Sequence, residues 1–343
     1  MSGDLSSDGM YGWVKPHDLD PTEREYIGIR PDTVINLPRM YTGLPTYIVP
    51  PGIGDIAWIY AKLNTMDQDF VLLVPGKTKI KEQAAQSLRS LPFINLLPRV
   101  VYSSVAYCEG SHAYIAGHLS NYTNGVFPES PAFLCFNWHL ERGNKLENIL
   151  PGFKTNRHFE MKRPQWAMDE AKLFLSPGEK AIAFYTSSDG YFDGQDFTAI
   201  KWAQLIQDTA MKFPKHKIML IGTTWDMRLM FPLYNTLCGM GLKSRVVMIH
   251  DRDIATVLEV LRACDFLVGA VSGLTIIAEY QRVPTVHLYP KFLHSGETLN
   301  HESMNLIGTW ESPEMVRNRT SLSIPYVDFN SVKRIATDFA PFI

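Results

Sequence analysis

Residues 264–290 read CDFLVGAVSGLTIIAEYQRVPTVHLYP. CDFLVGA (264–270) is a short buried-type strand, and the small residues Gly269, Ala270, Ser272 and Gly273 form a tight turn. LTIIAEYQR (274–282) is an apolar helix, and TVHLY (285–289) a second strand. Strand, helix and strand in so short a span make one βαβ unit. Upstream, KAIAFYTSS (180–188), KIMLIG (217–222) and RVVMIH (245–250) are further strands, separated by helices over 197–213, 225–240 and 253–263. Five strands joined by helical crossovers predict an α/β, doubly wound parallel sheet.

The same texture occurs earlier in the chain. TYIVP (46–50) is a strand, PGIGD (51–55) a glycine turn, and IAWIYAKLNTM (56–66) a helix. DFVLLVP (69–75), RVVYSSV (99–105) and PAFLCFN (131–137) read as strands, with helices over 79–91 and 138–150. The polar, proline-bracketed stretch LPGFKTNRHFEMKRPQW (150–166) reads as a linker. Two Rossmann-like units facing a central cleft are therefore expected: an N-terminal unit over 1–165 with an irregular arm over 1–40, and a C-terminal unit over 166–325. A last helix within 326–343 is expected to pack back on the first unit. A chain of 343 residues is long enough for two cores.

A formal net charge of −2 excludes coating of a polyanion by net charge alone. Residues 77–163 nevertheless carry eleven Lys or Arg against six Glu, which suits an anionic acceptor, or equally a set of solvated helix faces. The four cysteines form no CxxC pair and the histidines no HxxxH pair, so neither a disulfide framework nor a metal site is expected. The polar start and the lack of a long apolar run lead to the expectation of a cytoplasmic protein.

Chemistry is expected at the turns. Gly52 and Gly54 let main-chain N–H groups approach a ligand at a helix start. Asp55 is either a helix-capping carboxylate or a general base at the edge of a cleft. The N–H groups of Ser272, Gly273 and Leu274 form either an ordinary strand-to-helix turn or a cradle for a diphosphate. Thr186, Ser187 and Ser188 end one strand, and Thr223, Thr224 and Trp225 follow another. These are positions that either bind phosphate, ribose or base, or merely shape turns. The D-x-D of Asp251 and Asp253 is a metal-type spacing, but Asp253 also sits where a helix N-cap belongs.

Gly54-Asp55, Ser272-Gly273-Leu274, VPTVHLY (283–289) and the unit over 197–226 together resemble the GT-B glycosyltransferases of the ADP-heptose:lipopolysaccharide heptosyltransferase type. In that family a first strand ends in Gly-Asp, and a later strand ends in a Ser/Thr-Gly turn before a helix. The resemblance implies an inverting, metal-independent transfer of sugar from a nucleotide-sugar donor, without a further cofactor. The first unit would bind the acceptor and the second the donor, with Asp55 as base and Glu279 against the donor ribose, unless Glu279 is simply a solvated helix residue. The acceptor is expected to be a bacterial glycan or a hydroxymethylated or hydroxylated DNA base. Ala270-Val271 and Gln195 stand where the family has Asn-Asp and a basic residue, so a non-catalytic glycan- or protein-binding scaffold is the alternative, and a nucleotide-sugar epimerase a third.

Overall fold

The computed structural model describes residues 44–49, 52–75, 89–106, 117–118, 132–134, 153–186, 198–290 and 312–326. The expected arm over 1–40, most of the helix expected over 79–91, the helix over 138–150, the last helix expected within 326–343, Gln195, and Ser187 and Ser188 lie outside these residues. The chain divides into two compact units, Met1–Lys162 and Arg163–Ile343.

In the first unit, β1 (Thr46–Ile48) pairs in parallel with β2 (Phe70–Pro75) and with β5 (Ala132–Leu134). The strand β3 (Val100–Ala106) runs parallel to β2, and β4 (Gly117–His118) runs antiparallel to β5, giving the order β3-β2-β1-β5-β4. The helix α1 (Ile53–Leu63) is buried from Ile56 through Leu63, as a helix apolar on nearly every side must be. Gly52 is its N-cap, and its C-cap Asn64 donates through Nδ2 to the Tyr60 carbonyl at 2.6 Å.

The second unit is built on six parallel strands in the order β11-β10-β9-β6-β7-β8: β6 (Ala181–Tyr185), β7 (Lys217–Gly222), β8 (Val246–His250), β9 (Phe266–Ala270), β10 (Thr285–Pro290) and β11 (Ser321–Tyr326). In order of appearance this is 3-2-1-4-5-6, the order of a dinucleotide-type doubly wound sheet. The α/β, doubly wound expectation holds, with β11 as a strand that the sequence reading had not placed. Ile182, Phe184, Leu220, Val268 and Leu288 from the sheet pack with Trp202, Leu205 and Ile206 of α3 (Ala199–Lys212).

Two local expectations change. The end of the supposed linker belongs to a helix, α2 (Gln165–Phe174). The helix expected over 225–240 is a 3-10 turn (Thr224–Asp226), then α4 (Met227–Leu237), then a wider turn over Cys238–Leu242, where Gly241 takes φ +85°.

The start of the second unit is tied to α5 (Ile254–Ala263) by charge. The Arg163 guanidinium donates through Nε and Nη2 to both oxygens of Glu259, with a shortest contact of 2.6 Å, and Arg262 reaches the same carboxylate. Burial alone would raise the Glu259 carboxyl, but the two arginines hold it below its ordinary range. A carboxyl depressed in the folded state adds stability that is complete above its unfolded pKa, about 4.3, and is lost as pH falls through the lower folded value. Glu259→Gln is therefore expected to lower the urea midpoint at pH 7 and to converge on wild type only once the pH has fallen below the depressed folded value; a gap unchanged on acidification through that range would refute the assignment.

Candidate active site

In a parallel sheet of this order, the chain leaves β6 and β9 towards opposite edges, and a crevice opens between the carboxyl ends of the two strands. Tyr185 is paired with Gly269, so the next residue on the β6 side, Thr186, stands beside the end of β9. Thr186 is 1% exposed, and its hydroxyl has no hydrogen-bond partner among the described residues. A buried hydroxyl left unpaired costs about 1–3 kcal/mol.

After β9 the chain turns through Val271 and Ser272 into α6 (Gly273–Tyr280). Ser272 and Thr275 cap this helix reciprocally. The Ser272 N–H donates to Thr275 Oγ1 at 3.0 Å, and the Thr275 N–H donates to Ser272 Oγ at 3.4 Å. The Ser272 side chain and N–H thus serve the cap, leaving Gly273 and Leu274 to present the N–H groups that have no intrahelical acceptor. They point from the positive end of the helix, where anions are favoured. Gly269 makes this approach feasible: a Cβ there would lie 2.8 Å from Thr275 Cγ2 and 3.3 Å from the Tyr185 carbonyl oxygen.

The ends of β7 and β8 form a second polar cluster. Thr223 donates through its N–H to Asp226 Oδ2 at 2.7 Å, and the Thr224 N–H donates to Asp251 Oδ1 at 2.8 Å. The Thr224 hydroxyl also donates to Asp251, which adopts a left-handed φ of 48°. Asp253 accepts from the Ala255 N–H at 2.8 Å as the N-cap of α5. The two carboxylates of the D-x-D pair therefore serve separate structural tasks. Trp225 lies in the 3-10 turn between Thr223 and Asp226.

Glu279, expected against a ribose, is fully buried. Its Oε1 accepts the Ser312 N–H at 2.6 Å, and its Oε2 lies 3.3 Å from His287 Nε2, a residue that is also fully buried. It fastens β10, and the segment entering α7 (Pro313–Arg317), to α6. No feature of the sequence pointed to Ser312 as its partner.

In the first unit, β1 lies between β2 and β5, so the turn after it opens at a strand-order switch of its own. Gly52 is the N-cap, Gly54 is buried, and Asp55 is the third residue of α1, half-buried in the first turn. A carboxylate is electrostatically favoured there. Asp55 does not occupy the N-cap itself.

No family model and no curated protein matches this sequence. Solved structures are similar in fold. E. coli ADP-heptose LPS heptosyltransferase II superposes with a TM-score of 0.57 at 10% identity, over 87% of this chain and 98% of that one. A glycosyl transferase of family 9 from Veillonella parvula superposes with a TM-score of 0.57 at 11% identity, over 85% of this chain and 89% of that one. The likeness shows a heptosyltransferase-like GT-B fold.

If Thr186 is held unpaired for a ligand, removing its hydroxyl is harmless to the empty protein. Thr186→Val is expected to leave the urea-unfolding free energy unchanged or to raise it by about 1 kcal/mol. A loss greater than about 1 kcal/mol would mean that the hydroxyl already has a partner.

Proposed function

We propose that this protein is an inverting, metal-independent glycosyltransferase that moves a sugar from a nucleotide-sugar donor to an acceptor hydroxyl. The observation that carries the reading is the buried Thr186 hydroxyl beside the end of β9, without a partner among the described residues, at the strand-order switch of the second unit. The similarity to proteins described as an ADP-heptose heptosyltransferase and a family 9 glycosyl transferase supports it.

In this reading the second unit holds the donor. The Gly273 and Leu274 N–H groups and the Thr186 hydroxyl donate to the diphosphate, Ser272 holds the helix start in place, and Ser187 and Ser188 are further donors to it in this reading. Thr223 and Trp225 lie on the base or ribose side, and Glu279 acts by anchoring α6. Asp55 accepts the proton of the acceptor hydroxyl as its oxygen bonds to the anomeric carbon. The bond from that carbon to the diphosphate breaks, and the charge left on the diphosphate is met by donors already in position. The acceptor lies on the first unit, at the turn of Gly52 and Gly54. A glycan or a hydroxymethylated DNA base would both satisfy this chemistry. They separate by salt, since binding to a DNA acceptor weakens steeply as salt rises.

The test is a thermal-shift panel of ADP, UDP, GDP, CDP and TDP, with and without EDTA. One nucleotide is expected to raise the melting temperature, because a ligand of the folded state alone stabilises it, and EDTA should not cancel the effect. No response to any of them would count against a donor site and favour the binding-scaffold alternative. With the donor identified, Asp55→Asn is expected to retain nucleotide affinity while turnover falls about a hundredfold or more; unchanged turnover would remove Asp55 as the base. Gly273→Val is expected to weaken nucleotide binding by blocking approach to the N–H groups, and unchanged affinity would remove the cradle.

A further inference from the structure

From Thr285 to Leu288 the strand β10 is buried, yet it carries a histidine. His287 is level with Gly269 of β9 on one side and with Ser323 of β11 on the other. Residues level with one another on adjacent strands project to the same face. Here that face is the one α6 covers, since Thr275 Cγ2 takes the space above Gly269 and Glu279 Oε2 lies 3.3 Å from His287 Nε2. His287 Nδ1 and Ser323 Oγ are both buried without a hydrogen-bond partner among the described residues. Ser321 Oγ is in the same state, one row further off and level with Thr285.

Glu279 is fully buried as well, and its Oε1 accepts the Ser312 N–H at 2.6 Å. Among the described residues, His287 is its only ionisable partner. The charges on the elements around α6 answer one another instead. Glu259 of α5 pairs with Arg163 and Arg262, and Asp265, ahead of β9, lies 3.0 Å from His216 Nε2. Arg282, just after α6, reaches Glu314 of α7 at 2.6 Å, and Arg317 of α7 is exposed. The strand β9 has no ionisable residue, and α6, β10 and β11 otherwise add only the tyrosines Tyr280, Tyr289 and Tyr326.

The pair has two proton counts, and each carries a cost. With Glu279 a carboxylate and the imidazole hydrogen on Nε2, the pair holds a single negative charge and Nδ1 is a bare acceptor. With one more proton it is neutral, a hydrogen is shared between Nε2 and Oε2, and Nδ1 carries an N–H. The first state buries an uncompensated charge, and the second a donor that needs an acceptor. Ser323 supplies that acceptor: its hydroxyl is uncommitted, turns about one bond, and belongs to the neighbouring strand, about 4.8 Å away.

We propose that His287, Glu279 and Ser323 form a proton-binding site inside the second unit, and that its occupancy is linked to anion binding at the front of α6. The proton comes from solvent. Gly273 and Glu279 stand at the two ends of one helix, about 9 Å apart along its axis. A diphosphate at the Gly273 and Leu274 N–H groups brings negative charge to that distance and favours the neutral pair. Its binding therefore draws a proton in, and its affinity rises as the pH falls through the range in which the pair fills. The linkage rests on the donor reading above; the proton site does not.

The test uses the full chain. Nitrogen-15 NMR of labelled histidine follows His287 Nδ1 from about pH 8 to about pH 5, its signals being identified by their loss in His287→Gln. Should that variant fail to fold, the couplings that join the ring to its own backbone identify them. Nδ1 is expected to pass from bare to protonated in wild type, and to do so at lower pH in Ser323→Ala. Glu279→Gln is expected to abolish the transition, because its amide donates to Nε2 and fixes the hydrogen on Nδ1. One unchanging state in wild type, or an unaltered transition in Glu279→Gln, overturns the site; an unaltered transition in Ser323→Ala removes Ser323 from it. Calorimetry of the nucleoside diphosphate that raises the melting temperature, run in buffers of different ionisation heat, then counts the protons taken up. Wild type is expected to take up more than Glu279→Gln, by up to about one proton per nucleotide, the subtraction cancelling the protons of the phosphates themselves. Equal counts overturn the linkage. Should Glu279→Gln fail to fold, Ser323→Ala takes its place, with a smaller uptake than wild type expected and equal counts overturning the linkage as before. A wild type that binds no nucleotide sinks the donor reading and the linkage with it, and leaves the NMR comparison to decide the proton site.

Discussion

The carboxyl ends of β6 and β9 can meet only because position 269 carries no side chain. Thr275 Cγ2 and the Tyr185 backbone already occupy the space a Cβ would need. This close approach brings Thr275 against the end of β9, where its hydroxyl takes the Ser272 N–H and the Ser272 hydroxyl takes its own. The cap in turn fixes where α6 begins, and hence the direction in which the Gly273 and Leu274 N–H groups face. At the other end Glu279 holds α6 to Ser312 and His287, and Arg262 holds its C-cap Gln281. A helix secured along its whole length can present a charge site without spending ligand-binding energy on ordering it.

Much of the second unit was legible because strands buried on both faces read as continuous apolar runs. Ala181–Tyr185, Lys217–Gly222 and Phe266–Ala270 all show this pattern. The edge strand Ser321–Tyr326 did not, since SLSIPY alternates serine with apolar residues and contains a proline, which suits only an edge. The helix Gln165–Phe174 was hidden by its inverted patterning. Its buried residues are Ala167 and Ala171, whereas the large apolar Trp166 and Leu173 are exposed at 53% and 81%. The two-residue strand Gly117–His118 is too short to carry any periodicity.

At the candidate site, sequence spacing placed the turns but not the state of their side chains. Asp253 could be read as an N-cap because a cap needs only local sequence, and it is one. The task of Glu279 could not, because its partner Ser312 lies 33 residues further on. That Thr186 has no partner among the described residues is likewise a property of packing, visible only when β6 and β9 are side by side. The hydrogen-bonding state of a buried side chain is set by such packing, and a motif cannot encode that by itself.

The central claim is that the α6 N-terminus and the Thr186 hydroxyl together form a diphosphate site. It is tested most directly by a crystal structure of the protein with a bound nucleoside diphosphate. Phosphate oxygens are predicted within hydrogen-bond distance of the Gly273 and Leu274 N–H groups and of Thr186 Oγ1. A nucleotide seated elsewhere, with the Thr186 hydroxyl still unpaired, would contradict it.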